Sequence, residues 1–152
     1  MHIHTLSLET RAVQRRPLLI ASDLLIDGTA LLQHVERATG KSFDLASPLG
    51  WMPTDYSKEW AARIVGASPA VLESGRCELL VCPECGDLGC GCVSCVVHRE
   101  GELVVWSELA WETDYPDLVV PFRMGGFRFR AGELCGILGV SRVEQAVKPP
   151  AH

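Results

Sequence analysis

Positive charge is scarce in this chain. Lys and Arg number 14 against 19 Asp and Glu, which leaves a net charge of −5 and a pI near 5.5. A surface that reads nucleic-acid phosphates needs clustered cations, and here they are spread thinly, so nucleic acid is not expected as a partner. Long apolar runs are missing too. No stretch approaches the roughly eighteen residues that mark a membrane span. The segment "QRRPLLIASDLLI" sets paired arginines before apolar residues, but Asp23 interrupts it, Asp27 ends it and no Ala-x-Ala site follows. It is not expected to act as an export signal, and the expected location is cytoplasmic.

Several catalytic signatures are absent as well. No G-x-S-x-G elbow or G-x-x-x-x-G-K-[ST] phosphate loop occurs, which removes the support for a nucleophilic serine or a phosphate cradle. "GCGCVSC" supplies glycines without the strand–loop–helix setting a dinucleotide site requires. There is no internal repeat and no low-complexity linker.

What remains is the composition of a globular domain. Of 152 residues, 47% are hydrophobic and 22% charged, with a mean hydropathy of +0.15. A chain of this length buries roughly 70% of its unfolded surface in one core. A single domain over 1–152 is expected, with an N-terminal α/β half (1–75) and a second half (76–148) of different character.

In the first half, "HTLSLETRAV" alternates as a strand does, and "LLIASDLLIDG" is an apolar segment ending in an Asp27–Gly28 turn. "TALLQHVERATG" puts Leu31, Leu32, Val35 and Ala38 on one helical face and stops at Gly40. "DLASPLGWMPTDY" is expected as loop. A helix is expected to start at Ser57 and to bury Trp60, Ala61, Ile64 and Val65. The second half reads as strands at "RCELLVC", "CVSCVVH" and "ELVVWSELAWE", the last two joined around Gly101. "ETDYPDLVVP" reads as an acidic loop and "GGFRFRAG" as an edge strand. A Gly-interrupted helix is expected over 133–138, and a capping box at Ser141 and Glu144. The expected class is α+β, a small antiparallel β-meander with helices packed on one face and a cysteine-rich metal-binding loop.

That loop carries the strongest chemical signal. Five of the seven cysteines fall in the spacing C-x2-C-x4-C-x-C-x2-C, through Cys82, Cys85, Cys90, Cys92 and Cys95. Thiolates about 2.3 Å from one Zn2+ force the backbone between them to curl. Gly86, Gly89 and Gly91 permit the curl, because glycine takes positive φ at little cost. In a reducing compartment such a cluster points to metal rather than to disulfides, and the odd count agrees. If "CVSCVV" is extended, Cys95 shares a face with Val93 and Val97 and is a core thiol, and Cys92 lies nearer the "CPEC" knuckle. The expected zinc ligands are Cys82, Cys85, Cys90 and Cys92, with Asp87 as the alternative fourth ligand, His98 behind it, and Cys77 and Cys95 as packing.

Other cysteine chemistries fit less well. Cys92 and Cys95 are ~10 Å apart along a strand at about 3.3 Å per residue, beyond the roughly 7 Å a disulfide allows. The plant-type iron–sulfur pattern C-x4-C-x2-C starts at Cys85 and Cys90 but would need its next cysteine at 93, where Val stands. An iron–sulfur cluster is thus less favoured than zinc. A thiol oxidoreductase would need "CPEC" in a βαβ setting.

Around these residues the chain resembles a family of small bacterial proteins, mostly actinobacterial. They are built on C-P-x-C-G-D-x-G-C-G, an apolar strand, and a second strand carrying V-x-W, here VVW. The similarity spans 79–129, with a fainter echo in "LLIDG" and "SPLGW". Cys82, Cys85, Cys90 and Trp106 match the pattern. Cys92 and Cys95 depart from it, since small or apolar residues stand there in the family, which weakens Cys92 as a ligand and raises Asp87. The resemblance implies a fold unit and no established activity.

Among the remaining residues, His2 and His4 make an H-x-H pair expected to be solvated at the chain terminus. Trp106, Glu108 and Glu112 are expected on one strand face, with Trp111 on the other. One tryptophan is expected in the core. The candidate protein-partner surface is an aromatic anchor with an acidic rim: Trp106, Glu108, Glu112, Asp114 and Tyr115. The functional expectation is a zinc-stabilised cytoplasmic binding or accessory protein without its own catalysis, of adaptor or immunity type. A metalloenzyme with three cysteine ligands, an open water position and Asp87 or Glu84 moving the proton is the alternative, followed by the thiol oxidoreductase.

Overall fold

The computed structural model describes residues 1–13, 16–84, 90–114 and 117–141. The chain begins with a three-stranded antiparallel sheet. Strands β1 (Leu6–Val13) and β2 (Arg16–Ile26) pair from Leu6↔Ile26 to Ala12↔Ile20, and β3 (Thr29–Ala30) folds back on β2. The reversal at Asp27–Gly28 has positive φ at both residues, 53° and 84°. That is the backbone of a type I′ hairpin turn, and Asp-Gly suits it. Helix α1 (Leu31–Thr39) follows, burying Leu31 and Val35 and ending at left-handed Gly40, whose N–H reaches Glu36 C=O at 2.8 Å.

Helix α2 (Thr54–Ile64) starts three residues earlier than the sequence reading placed it, directly after Pro53. Ser57 is therefore inside the helix. The expected apolar face holds: Trp60, Ala61, Ile64 and Val65 are all buried. Arg63 is buried among them.

The second sheet has five antiparallel strands: β4 (Cys77–Leu80), β5 (Cys92–Glu100), β6 (Leu103–Asp114), β7 (Asp117–Pro121) and β8 (Phe127–Arg130). Strands β4, β5, β6 and β7 lie side by side in that order. β8 pairs with the first part of β6, from Leu103↔Arg130 to Trp106↔Phe127, whereas β7 pairs with its last part, from Ala110↔Pro121 to Asp114↔Asp117. The expected acidic loop over 112–121 is thus the end of one strand and most of another. The apolar run Leu118–Val120 carries β7, with Pro121 at its end. Helix α3 (Ala131–Leu138) follows β8, and the capping box expected at Ser141 and Glu144 extends outside the described residues.

Both sheets and all three helices contribute to one core. It runs from Leu6, Leu24 and Ile26 through Leu31, Trp60 and Ile64 to Leu79, Val93, Trp106, Phe129 and Leu134. The α+β class stands. Trp60 and Trp106 are completely buried, and each indole N–H finds a carbonyl, Glu78 at 2.7 Å and Ile64 at 2.8 Å. Large rings with a satisfied polar atom are what such a core uses to fix helix against sheet.

Two buried charge pairs bracket β4. Glu78 is fully buried and its Oε2 accepts from Tyr56 Oη at 2.6 Å and Arg63 at 2.9 Å. Burial first, then the carboxylate, pushes the Tyr56 phenol well above its usual value. Arg76 lies across the meander. Its guanidinium donates to Ser94 Oγ at 2.9 Å and to the carbonyls of Ser94 and Glu108, and it lies 3.5 Å from the Glu112 carboxylate. Ser74 Oγ donates to the same carboxylate at 2.7 Å.

Candidate functional site

The cysteine loop joins β4 to β5. Cys82 is half-buried just past β4, Cys90 is exposed just before β5, and Glu84 is exposed between them. Cys85 and Asp87 lie outside the described residues. Gly91 has φ +101°, the positive φ that glycine permits, and Gly86 and Gly89 lie outside the described residues. Cys92 is fully buried with Leu72, Val81 and Trp51 in a small cluster of its own. It therefore sits on the side of the hairpin that Val81 faces, and ligation by Cys92 has to draw on that cluster. Cys77 and Cys95 face one another across β4 and β5 inside the main core. Burial pushes the Cys77 thiol up to about 11 and the Cys95 thiol well above its usual value. Both are packing residues, protonated at neutral pH.

Trp106, Glu108 and Glu112 do not share one face of β6 as expected. Between Ser94↔Ala110 and Val96↔Ser107 the register slips by one residue, and Glu108 takes up the slack at φ 53°. Such a bulge re-aims every side chain beyond it. Trp106 and Trp111 therefore both turn toward the main core, Trp106 completely buried and Trp111 partly so. Glu112 turns to the other face, 4% exposed, and is held by Arg76 and Ser74. Of the residues expected to form a partner surface, Trp106 and Glu112 are interior. Glu108 is exposed, and the side chain of Asp114 and all of Tyr115 lie outside the described residues.

Trp111 lines the concavity that the sequence reading missed. Its ring stacks on Phe43 at 5.5 Å and 25°, and Phe43 meets Phe122 at 6.3 Å. With Ala38, Val120 and Pro121 these rings line a cleft of about 450 Å3, and Lys41 and Arg123 are its charged residues. The back of Trp111 presses on Gly91, where a Cβ would overlap the indole. One wall of the cleft is thus seated on the end of the cysteine loop. The signal in the sequence is the pair of lone aromatics, Phe43 and Phe122, each just outside a segment expected as loop.

No family model, curated protein or solved structure matches the chain. Among the described residues, no helix is long and apolar enough to cross a membrane.

Proposed function

We propose that this is a cytoplasmic binding or accessory protein that recognises a protein partner through the Phe43–Trp111–Phe122 cleft, with a zinc-bound cysteine loop bracing that cleft from behind. The observation that carries the reading is the continuity of apolar surface there. Leu118 and Val120, which share the Trp111 face of β7, are 51% and 46% exposed, and Val120 runs directly into the aromatic cleft. Exposed apolar residues on one strand face beside a concave aromatic site mark a surface that another protein covers. Lys41 and Arg123 favour a partner segment bearing an apolar or aromatic anchor next to a carboxylate. This differs from an acidic surface awaiting a basic partner, because Glu112 is interior.

The zinc reading rests on donor chemistry. Cys82 and Cys90 reach solvent on either side of the loop, Cys85 lies between them in sequence, and Cys92 or Asp87 completes four ligands. Zinc there would supply a cross-link, holding Gly91 against Trp111. In this reading the protein performs no chemistry of its own, and the resemblance over 79–129 stands on the motif residues. The test is a photo-crosslinking residue at position 120 in the producing cell. One protein captured in high yield, and lost on Lys41→Glu with Arg123→Glu, supports the reading. A tightly bound small metabolite with no crosslinked protein overturns it.

A further inference from the structure

We propose that His2, His4 and Asp27 form a second metal site, separate from the cysteine loop, which takes one divalent transition-metal ion of the kind that favours imidazole and carboxylate ligands. One ligand atom from each residue lies within 4.8 Å of the other two. Ligands about 2.0–2.2 Å from a zinc ion stand about 3–4 Å from one another, so a small inward movement closes the set.

Two of the three ligands are fixed by backbone before any ion arrives. Asp27 sits in the β2–β3 turn at φ 53°, its N–H on Thr5 C=O at 2.9 Å. The Thr5 N–H holds Asp27 Oδ1 at 2.9 Å, which leaves Oδ2 for His2 Nε2 at 2.7 Å. His4 is tied to the far end of the fold: its N–H donates to Arg128 C=O at 2.7 Å, and the residue bridges Phe129. Its ring meets Phe127 edge-on at 5.1 Å and His2 at 4.4 Å. The H-x-H spacing brings both imidazoles to one acidic turn, His2 exposed and His4 half-buried.

Three protein ligands leave coordination positions open. His4 also lines a cavity of about 330 Å3 whose walls include Leu6, Phe129, Leu134 and Ile137, with Glu133 beside them. A small molecule with a metal-binding head and a short apolar body fits that geometry.

The binding step has a specific signature. His4 Nδ1 accepts the Arg128 N–H at 3.2 Å, so its neutral ring carries the proton on Nε2. Ligation through Nε2 moves that proton to Nδ1 and releases the Arg128 amide to water.

The experiment titrates Zn2+ alone into the full chain and follows backbone amides and histidine ring nitrogens by NMR, so that the cysteine loop and this site report separately. The expected result is a saturable change at His4, Thr5, Asp27 and Arg128 at one ion per site, with His4 converting to the Nδ1–H tautomer. Asp27→Asn, which keeps the left-handed turn, and His2→Ala, at an exposed position, each weaken binding at least about tenfold and leave the cysteine-loop signals unchanged. The proposal is overturned by changes confined to residues 82–92, by a response that never saturates, or by wild-type affinity in both variants.

Discussion

Trp111 occupies the space that a side chain at position 91 would need. A Cβ on Gly91 would lie inside van der Waals contact of three atoms of the indole, and Gly91 holds φ +101° besides. The contact joins the two features that matter here, the cysteine loop and the aromatic cleft.

Gly91→Ala is therefore expected to cost about 2 kcal/mol or more, from backbone strain and from overpacking against the ring. Urea unfolding measures the loss. Tryptophan fluorescence in the native state should also shift, since Trp111 is only partly buried and has to move. A variant with unchanged emission and stability would mean that the loop is not seated on the cleft wall.

Glu78, Arg63 and Tyr56 should behave as one unit. Glu78→Ala leaves a buried guanidinium without its carboxylate, and such a break costs about 3–5 kcal/mol. Tyr56→Phe removes one hydrogen bond to a charged group, worth about 1.5–3 kcal/mol. In a double-mutant cycle the two losses should fall well short of adding. Simple additivity would separate the phenol from the ion pair.

Alkaline pH should destabilise the fold through its core thiols. Cys77 is raised from 9.0 to about 11, and Cys95 is raised as well. An unfolded chain ionises these thiols above pH 9, whereas the folded chain keeps them protonated. Their contribution is whole below pH 9 and is lost as pH climbs through about 11. The Tm should drop across that window, and less steeply in Cys77→Val. In the native protein at pH 8, alkylating reagents should leave both thiols unmodified.

In a chain carrying His2→Ala, which disables the His2–His4–Asp27 site, the metal reading of the loop predicts one zinc by elemental mass spectrometry, with three or four thiols becoming titratable on chelation. Cys82→Ser and Cys90→Ser should each lose the ion, whereas Cys95→Ala should keep it. Zinc retained by both serine variants in the His2→Ala background would move the ligand set elsewhere.

Much of the architecture was legible because it obeyed local rules. Asp27–Gly28 is a hairpin turn by composition, Gly40 stops α1 by its φ, and "CVSCVV" alternates so that Val93 and Cys95 reach the core together. The failures share a cause, which is dependence on a distant partner. The slip at Glu108 is made by the match of β5 to β6 and is braced by Arg76 on the Glu108 carbonyl. No residue near 108 announces it, yet it exchanges the faces of Trp111 and Glu112. β7 was read as loop because its acids and proline outweighed a run of only three apolar residues. The Glu78–Arg63 pair did leave a trace: a lone acid inside "CELL" and a lone base between Trp60 and Ile64, opposite charges on two surfaces that both had to be buried. In the candidate site, the cysteine spacing was plain and the cleft was not, since Phe43, Trp111 and Phe122 meet only after folding.

The tie between His4 and β8 sets an order of events as the chain leaves the ribosome. Synthesis delivers the amino end first, but the carbonyl of Arg128 that holds His4 is among the last described residues to be made. The turn at Asp27 can hold His2 and Thr5 early, but His4 has no strand partner until Phe127–Arg130 arrive. Closing so long a loop is a late, entropically costly step. A nascent chain arrested before residue 127 would therefore lack the His4 tie and be cut by proteases around His4 more readily than the finished protein.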